Sequence, residues 1–506
     1  MKKIAIIDIG SNSMRLVIIK INKDNSFSII DEVKETVRLG KDMNPNGELN
    51  SFRIEKAIDT LSFFKRLCII QNITEILPVA TEAVRKASNQ KEFLNRVKKE
   101  LSIDIRVLTG IEEAFYDYFG AINSMDFSDA LIMDIGGSSS EIIYVENREL
   151  KHSISLPFGA INLTEKFSLQ NVMKDKAEID IKEFLTTLYD DIPWLSQVKN
   201  VPVIGIGGTI RNIGKLHKKK TNYPIDNLHN YIIPANDVID IYDSVKVKNS
   251  SQRKKLKGLS KERADIFVGA MSALVKLIEY LDIKELHVSG SGLRDGFLYE
   301  YIFKNNKPLM NNRPLIDVLD FSLKNNLLNY KIELEHPTHV WLLTKTLYEE
   351  LAPIIDISIN PYKILKTAAM LHDIGILISY FDHHMHSSYM IANSKINGLT
   401  HREQLMASYI AALHRKNEFK IDLKLYHNIL YKEDLEIIDK LSILLRISEC
   451  LDRCLTGNIQ MVSCNINSDT VTITVDAKAD PLLEIAAATE CSSSFEKIYN
   501  KKLIFK

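Results

Sequence analysis

An apolar run that ends in Asp-Ile-Gly followed by small polar residues occurs twice in this chain, around Asp8 and again around Asp134. A second apolar run follows each copy, so each predicts a strand, a tight turn and a second strand. The turns offer backbone N–H groups and hydroxyls to an anion, and each carries an aspartate where the first strand ends. Two such hairpins, each with a carboxylate able to hold a cation, predict two lobes that close on a chain of phosphate groups.

Patterning along the first 304 residues predicts alternating strands and helices, and therefore an α/β fold with two lobes, 1–124 and 125–304. A helix is expected over 51–70, where apolar residues share one face. Glycine turns at 205–209 and 289–296 add two more anion-binding candidates. Four such turns in one α/β chain favour binding of nucleotide or phosphate.

The C-terminal third differs in pattern. A polar, turn-rich stretch at 304–314 is the best linker candidate, and the sequence beyond it is mainly helical as far as 455. A clean alternation at 471–475 predicts a strand, and one last helix is expected over 481–498. We therefore expect 305–506 to form a mainly α-helical domain with a small C-terminal α+β segment.

Composition excludes several classes of protein. The chain is 45% hydrophobic and 26% charged, without an uncharged apolar stretch long enough for a membrane span, and its start reads as a strand and not as a signal peptide. Five scattered cysteines without a CxxC pair indicate reduced thiols and a cytoplasmic protein. Basic and acidic residues balance at 65 each, so the overall charge says nothing about partners. We expect neither a nucleic acid nor a membrane as a partner. The basic run 246–263 is either a solvated loop or a docking surface for a polyanion.

The first 300 residues resemble the exopolyphosphatase / guanosine pentaphosphate phosphohydrolase family, which has the actin-like ATPase (ribonuclease H-like) fold. The resemblance implies release of terminal phosphate from inorganic polyphosphate, or from the 5′ end of guanosine pentaphosphate, with Mg²⁺ or alternatively Mn²⁺. The matching stretches are Asp8–Arg15, Ala80–Arg85, Thr109–Ala114, Asp134–Glu141, Leu156–Ala160, Gly205–Arg211 and Val288–Gly296.

The resemblance also implies roles for individual residues. Glu113 is the expected water-activating carboxylate, with Glu112 the neighbour that could be confused with it. Asp8, Asp134 and Glu141 are expected around the metal, the last two also belonging to the catalytic set. The expected phosphate-binding residues are Gly10, Ser11, Asn12, Ser13, Arg15, Arg85, Gly136, Gly137, Ser138, Ser139, Gly207, Gly208 and Thr209. Ser138 replaces a glycine, and Asp295 a glutamate, that the family usually has.

The helical domain carries a second signature. His339, His372-Asp373 and Asp452 resemble, in order and type, the ligands of the metal-dependent HD phosphohydrolase superfamily, and His386 and His414 could extend the set. The alternative is a relic, because the domain is usually taken as non-catalytic in long members of the family. We therefore expect that this domain is a candidate to bind a second divalent metal. Independent catalysis by the domain is the weaker expectation.

The leading functional expectation is a processive exopolyphosphatase that acts as a homodimer. The alternatives are a guanosine pentaphosphate 5′-phosphohydrolase, an HD-type nucleotide phosphohydrolase and a non-enzymatic nucleotide-binding regulator. Glu113 favours the first two over the regulator, while the long C-terminal domain and the basic run 246–263 favour a long polymer as substrate. The sequence leaves the choice of polyphosphate or guanosine pentaphosphate, and the preferred chain length, open.

Overall fold

The structure is a computed structural model that describes residues 1–44, 46–305, 313–415 and 419–506. It divides into two compact units, Met1–Ile316 and Asp317–Lys506. Most of the expected linker 304–314 lies outside the described residues. The domain boundaries at 124 and 304 stay predictions.

The first sheet of the N-terminal unit has the strand order β3-β2-β1-β4-β5. Strand β2 pairs antiparallel with both β1 and β3, whereas β1, β4 and β5 run parallel to one another. The strands are β1 (Lys2–Ile9), β2 (Met14–Ile21), β3 (Phe27–Glu35), β4 (Glu75–Ala80) and β5 (Arg106–Val107).

The second sheet repeats this arrangement, in the order β10-β11-β9-β6-β7-β8. Here β6, β7 and β8 form the antiparallel hairpins, and β6, β9 and β11 run parallel. Asp8 pairs with Arg15 in the first hairpin, and Asp134 pairs with Glu141 in the second, so the two aspartates occupy equivalent places. The strands are β6 (Ala130–Ile135), β7 (Ser140–Glu146), β8 (Glu149–Leu156), β9 (Val203–Ile206), β10 (Tyr231–Pro234) and β11 (Glu285–Val288).

Helices of the N-terminal unit pack on these sheets through apolar faces. In α1, the residues Ile54, Ala57, Ile58, Leu61 and Phe64 recur at helical spacing and are buried. The helices are α1 (Ser51–Ile70), α2 (Glu82–Arg85), α3 (Gln90–Leu101), α4 (Gly110–Ile122), α5 (Ala160–Lys166), α6 (Asp175–Asp190), α7 (Gly207–Thr221), α8 (Ala235–Lys246), α9 (Ser250–Arg253), α10 (Phe267–Leu281) and α11 (Leu293–Asn305), with short 3-10 turns at Leu195–Gln197 and Lys261–Arg263.

The C-terminal unit is mainly helical and ends in a small sheet of order β12-β13-β14. Its helices are α12 (Val318–Asn329), α13 (Glu335–Glu350), α14 (Tyr362–Leu371), α15 (His383–Asn393), α16 (His401–Ala412), α17 (Lys432–Leu451), α18 (Leu482–Thr489) and α19 (Ser492–Tyr499), with a 3-10 turn at Ile374–Leu377. Its strands are β12 (Ile459–Ile466), β13 (Thr470–Ala477) and β14 (Lys502–Phe505).

The fold matches the α/β expectation, and the structure differs from the sequence prediction mainly at the C-terminus. The single helix expected over 481–498 is wrong, because the segment forms two helices, and the buried Cys491 is the N-cap residue of the second one. Phe495 and Tyr499 are buried after this break, and the Tyr499 hydroxyl donates to the carbonyl of Lys440. In the described ranges, no helix is long and apolar enough to cross a membrane.

Candidate phosphate-binding active site

A polar cleft of about 130 Å³ lies in the N-terminal unit, lined by residues from both sheets. Asp8 and Asp134, the two motif aspartates, both line it. The hairpin turns next to them are alike: the Gly10 N–H donates to the Ser13 carbonyl at 3.2 Å, and the Gly136 N–H donates to the Ser139 carbonyl at 3.0 Å. The sequence repeat therefore becomes a pair of matched turns that face one cavity.

The start of α7 adds a third backbone element to the cleft. Gly207 and Gly208 line it, so the first N–H groups of a helix of 15 residues point toward any anion bound there. Gly207 has φ +89°, and a side chain on it would meet the Asp134 carboxylate. A side chain on Gly208 would meet the Arg263 guanidinium. Both positions thus need glycine for close approach of the backbone to charged groups.

Four arginines face the cleft: Arg15, Arg211, Arg263 and Arg294. Burial, together with repulsion from the other three, lowers the pKa of Arg211 to about 9. Burial and the neighbouring Arg15 likewise lower the pKa of Arg263 to about 10. Glu32 offsets part of this charge, accepting from Arg15 at 3.1 Å and from Arg294 at 2.8 Å. Crowded guanidinium groups in a cleft form a strong site for a multiply charged anion.

Carboxylates crowd the same region. Burial raises the pKa of Asp8, raises that of Asp134 to about 6, and raises those of Asp117 and Glu141 well above their ordinary values. The Ser155 hydroxyl donates to Glu141 at 2.8 Å, whereas Asp117 Oδ2 is buried without a hydrogen-bond partner among the described residues.

This donor set fits a divalent cation. Carboxylates held together against their own repulsion, with one buried oxygen lacking a donor, suit an ion such as Mg²⁺, which takes a few carboxylates plus waters and phosphate oxygens. Asp8, Asp134 and Glu141 are the residues that would hold it. The ion itself stays a proposal.

The start of α4 separates the two neighbouring glutamates. Glu112 accepts from the Thr109 N–H at 2.8 Å and from the Thr109 hydroxyl at 2.9 Å, which makes it the partner of the N-cap Thr109 in a capping box. Glu113 points the other way, is 8% exposed and lines the cleft. Burial raises the pKa of Glu113 to about 8, against the opposing effect of Arg85.

Arg85 lies behind Glu113. Its Nη1 donates to Glu113 Oε2 at 3.0 Å and to the Leu108 carbonyl at 2.6 Å, and its Nη2 pairs with Glu82. The side chain is absent from the described lining of the cleft. The sequence resemblance predicted that Arg85 binds phosphate. These contacts instead suit a residue that positions the Glu113 carboxyl group and favours its ionised form.

Most of the predicted site residues come together in the cleft. Three other predicted residues are not among those that line it: Glu141 is buried in β7 opposite Asp134, Thr209 is buried in α7, and the Ser138 side chain faces Gly40. The predicted residues that line the cleft are Asp8, Gly10, Ser11, Asn12, Ser13, Arg15, Glu113, Asp134, Gly136, Gly137, Ser139, Gly207 and Gly208.

Sequence reasoning missed Arg211, Arg263, Arg294 and Asp117 as site residues. Arg211 and Arg294 lie just after the glycine turns at 205–208 and 289–292, which was a usable signal. Asp117 follows Glu113 by one helical turn and so shares its face of α4. Its Oδ1 accepts from the Leu293 N–H at 2.9 Å, which ties α4 to the start of α11.

The basic run 246–263 is only partly a surface. Arg253 is fully buried and donates to the carbonyls of Leu169 and Asn171 at 2.9 and 2.6 Å, so it is a structural residue. Lys246 pairs with Glu178 at 2.8 Å. These two residues therefore do not contribute to a continuous docking surface for a polyanion along this run.

Four histidines of the C-terminal unit gather around Asp373. The structure brings His336, His372, His383 and His414 there. His339, which was expected, instead contacts the Ile459 carbonyl at 2.7 Å and lies 3.0 Å from Asp452 Oδ1. Two other expected residues also lie outside the ligand groups: Asp452 bonds His336 Nδ1 at 2.7 Å, and His386 belongs to neither group.

Known proteins resemble the chain over most of its length. Residues 17–305 match the model of the Ppx/GppA phosphatase family, and residues 320–489 match that of Ppx/GppA phosphatase, domain III. A guanosine-5'-triphosphate,3'-diphosphate pyrophosphatase of Vibrio campbellii is 26% identical over 505 residues, covering 97% of this chain and 95% of the relative. A protein of the same name from Pseudoalteromonas atlantica is 27% identical, covering 81% of this chain and 79% of the relative.

Solved structures agree. The Ppx/GppA family member of Aquifex aeolicus is 32% identical, with a TM-score of 0.53 over 61% of this chain and 99% of its own. An exopolyphosphatase from Cytophaga hutchinsonii, at 24% identity and a TM-score of 0.57, shares the fold over 60% of this chain and 98% of its own. The family model covers more than half of the sequence, and it includes the second glycine turn and the opening of α7, which line the cleft. This chain belongs to the Ppx/GppA phosphatase family.

Proposed function

We propose that the protein is a guanosine pentaphosphate 5′-phosphohydrolase, which removes the terminal phosphate from the 5′ end of guanosine 5′-triphosphate 3′-diphosphate. Membership of the family supports a hydrolase that acts on phosphoric anhydrides. The choice of substrate is supported by the names of curated relatives that match 79 to 95% of their own length.

The single observation that carries the proposal is the position of Glu113. Its carboxyl group is buried at the edge of a cleft that four arginines line, and Arg85 holds it at 3.0 Å. A carboxylate in such a place can orient a water molecule and take its proton while phosphorus is attacked.

The residues divide the reaction between them. Arg15, Arg211, Arg263 and Arg294, with the N–H groups of the hairpin turns and of α7, bind the phosphate oxygens and orient the terminal phosphoryl group. Water adds to the terminal phosphorus as the bond to the bridging oxygen breaks, and the water's proton passes to Glu113. A Mg²⁺ ion held by Asp8, Asp134 and Glu141 would neutralise charge on the phosphates. The products are orthophosphate and guanosine 5′-diphosphate 3′-diphosphate.

Inorganic polyphosphate is the second candidate substrate, and a specific observation favours it. None of the described residues that line the cleft is aromatic, so this cavity holds groups for phosphate and no ring for stacking on guanine. Two residues of the basic run argue against polyphosphate: Arg253 is buried in the fold, and Lys246 is paired with Glu178. Part of the expected track for a long polymer is therefore missing.

The deciding experiment compares the two substrates on one enzyme preparation. Orthophosphate release is measured with Mg²⁺ at equal concentrations of guanosine pentaphosphate and of polyphosphate chain ends, and the guanosine product is identified by chromatography. We expect a higher kcat/KM for guanosine pentaphosphate, with guanosine tetraphosphate as product. Turnover of polyphosphate alone would replace the first proposal with the second, and Glu113→Gln serves as the control for contaminating phosphatases.

A further inference from the structure

Five side chains of the C-terminal unit form a compact group that the phosphohydrolase reaction does not use. We name His336, His372, Asp373, His383 and His414 the imidazole cluster. Their ligand atoms form two triads that share Asp373, and within each triad all atoms lie within 4.8 Å of one another. His336 and His372 complete one triad with Asp373, and His383 and His414 complete the other.

Hydrogen bonds fix the proton on each ring. A carbonyl or carboxylate oxygen only accepts, so an imidazole nitrogen bonded to it carries the hydrogen. Each of the four rings makes such a bond through Nδ1, which leaves Nε2 with a bare lone pair in the neutral ring. The acceptors are the Ala369 carbonyl for His372 at 2.7 Å, the Tyr380 carbonyl for His383 at 2.9 Å, the Ala411 carbonyl for His414 at 2.6 Å and Asp452 Oδ2 for His336 at 2.7 Å.

These lone pairs point at one another. The Nε2 atoms of His336 and His372 are 3.2 Å apart, and so are those of His383 and His414. Asp373 Oδ1 has no hydrogen-bond donor of good geometry among the described residues, although His383 Nε2 lies 3.0 Å away.

Burial makes this arrangement costly when it is empty. His372 and His414 are fully buried and His383 is 1% exposed, so water cannot solvate their unpaired nitrogens. A positive ion between each pair of rings would turn the repulsion into coordination. The oxygens that accept from Nδ1 would then be the hydrogen-bond partners that orient metal-bound histidines.

We propose that the imidazole cluster binds two divalent transition-metal ions, with Asp373 bridging them. One ion takes His336 Nε2, His372 Nε2 and one oxygen of Asp373, and the other takes the second oxygen, His383 Nε2 and His414 Nε2. Imidazole and carboxylate together select ions such as Mn²⁺, Fe²⁺ or Zn²⁺ over Mg²⁺.

The cluster also has a route to solvent. The side chains of Asp373 and His336 are 22% and 17% exposed, whereas the other three are buried. Three protein ligands for each ion leave positions open for water or for an oxygen-donor ligand. Asp452 does not coordinate in this assignment but holds the His336 ring, with its other oxygen accepting from the Gly457 N–H at 3.0 Å.

The test uses the full chain, stripped of metal and titrated with Mn²⁺. Bound ions are counted by equilibrium dialysis, and the spectrum is recorded by continuous-wave and pulsed electron paramagnetic resonance. None of the described residues lining the phosphate-binding cleft is a histidine, so imidazole nitrogen couplings cannot come from an ion bound in that cleft. We expect those couplings, together with the signal of two magnetically coupled Mn²⁺ ions, which lie about 3.5–4 Å apart in two-metal sites.

Two double variants divide the cluster. His336→Gln with His372→Gln, and His383→Gln with His414→Gln, should each bind one Mn²⁺ fewer than wild type and lose the coupled signal, while nitrogen couplings from the other triad persist. His427→Gln, at an exposed histidine outside the cluster, is the matched control and should keep both ions.

Circular dichroism checks the fold of each variant. Should a double variant fail to fold, the wild-type spectrum decides by itself. Absence of nitrogen couplings in wild type, or a single uncoupled ion at saturation, would overturn the proposal. Unchanged Mn²⁺ stoichiometry in both folded double variants would overturn it as well.

Discussion

The Arg85 guanidinium lies 3.0 Å from the Glu113 carboxylate and is held in place by the Leu108 carbonyl at 2.6 Å and by Glu82. A positive charge at this distance favours the ionised form of the glutamate, while burial favours the neutral form and raises its pKa to about 8. Arg85 therefore sets both the orientation and the protonation of Glu113 from behind the cleft.

Replacement of Arg85 should shift the pH dependence of the reaction. The active form of Glu113 is the carboxylate, so kcat/KM should rise with pH as this group loses its proton. Arg85→Gln removes a charge that lowers the Glu113 pKa, so the acidic limb of the pH profile should move to higher pH. We expect kcat to fall and KM to change little, with partial rescue by Arg85→Lys. A large rise in KM with an unmoved pH limb would instead make Arg85 a phosphate ligand.

The arginines of the cleft predict that phosphate stabilises the protein. Burial, together with repulsion from the other three arginines, lowers the pKa of Arg211 to about 9, and a bound anion relieves that repulsion. Inorganic phosphate at 100 times its dissociation constant should add about 2.7 kcal/mol to the free energy of unfolding. Thermal unfolding at increasing phosphate measures this, and Arg211→Gln should weaken the effect.

The matched control is Arg96→Gln, at a surface arginine paired with Glu55 and Glu100. It should leave the phosphate effect unchanged. Equal responses in the two variants would show that phosphate acts away from the cleft.

Arg253 predicts a large effect on stability. Its guanidinium is buried and donates to carbonyls at 169 and 171, which keep no such donor after truncation. Arg253→Ala should lower the free energy of unfolding by about 3 kcal/mol, since hydrogen bonds to charged groups are involved. Lys254→Ala, at the exposed next position, should change it by less than about 0.5 kcal/mol. Equal effects in chemical denaturation would contradict the structural role of Arg253.

Much of the cleft could be predicted from the sequence because its elements are local. The two Asp-Ile-Gly hairpins need only a strand, a turn and a strand, and their residues are neighbours in the chain. The opening of α7 after Val203–Ile206 is local as well. Binary patterning thus located the turns and the aspartates without any knowledge of packing.

The remaining parts depend on contacts between distant segments. Arg253 and Arg263 belong to the same basic run, but Arg263 lines the cleft whereas Arg253 is fully buried in the fold. Nothing in the local sequence distinguishes these two roles. His336 and His339 lie one turn apart on α13, and only the direction of each ring decides which one meets Asp373. The HD identity of the C-terminal unit, its role in catalysis and the homodimer stay predictions.

The central claim is that Glu113 activates the attacking water, and a single-turnover assay of the Glu113→Gln and Glu112→Gln variants tests it most directly. Orthophosphate release from guanosine pentaphosphate is measured at saturating enzyme with Mg²⁺, alongside substrate affinity. We expect Glu113→Gln to bind substrate normally but to release phosphate about 10²- to 10⁴-fold more slowly. Glu112→Gln should turn over close to wild type, because Glu112 contacts Thr109 in the capping box of α4 and Arg106, and does not line the cleft. Normal turnover by Glu113→Gln together with an inactive Glu112→Gln would show that Glu113 is not the residue that activates the water.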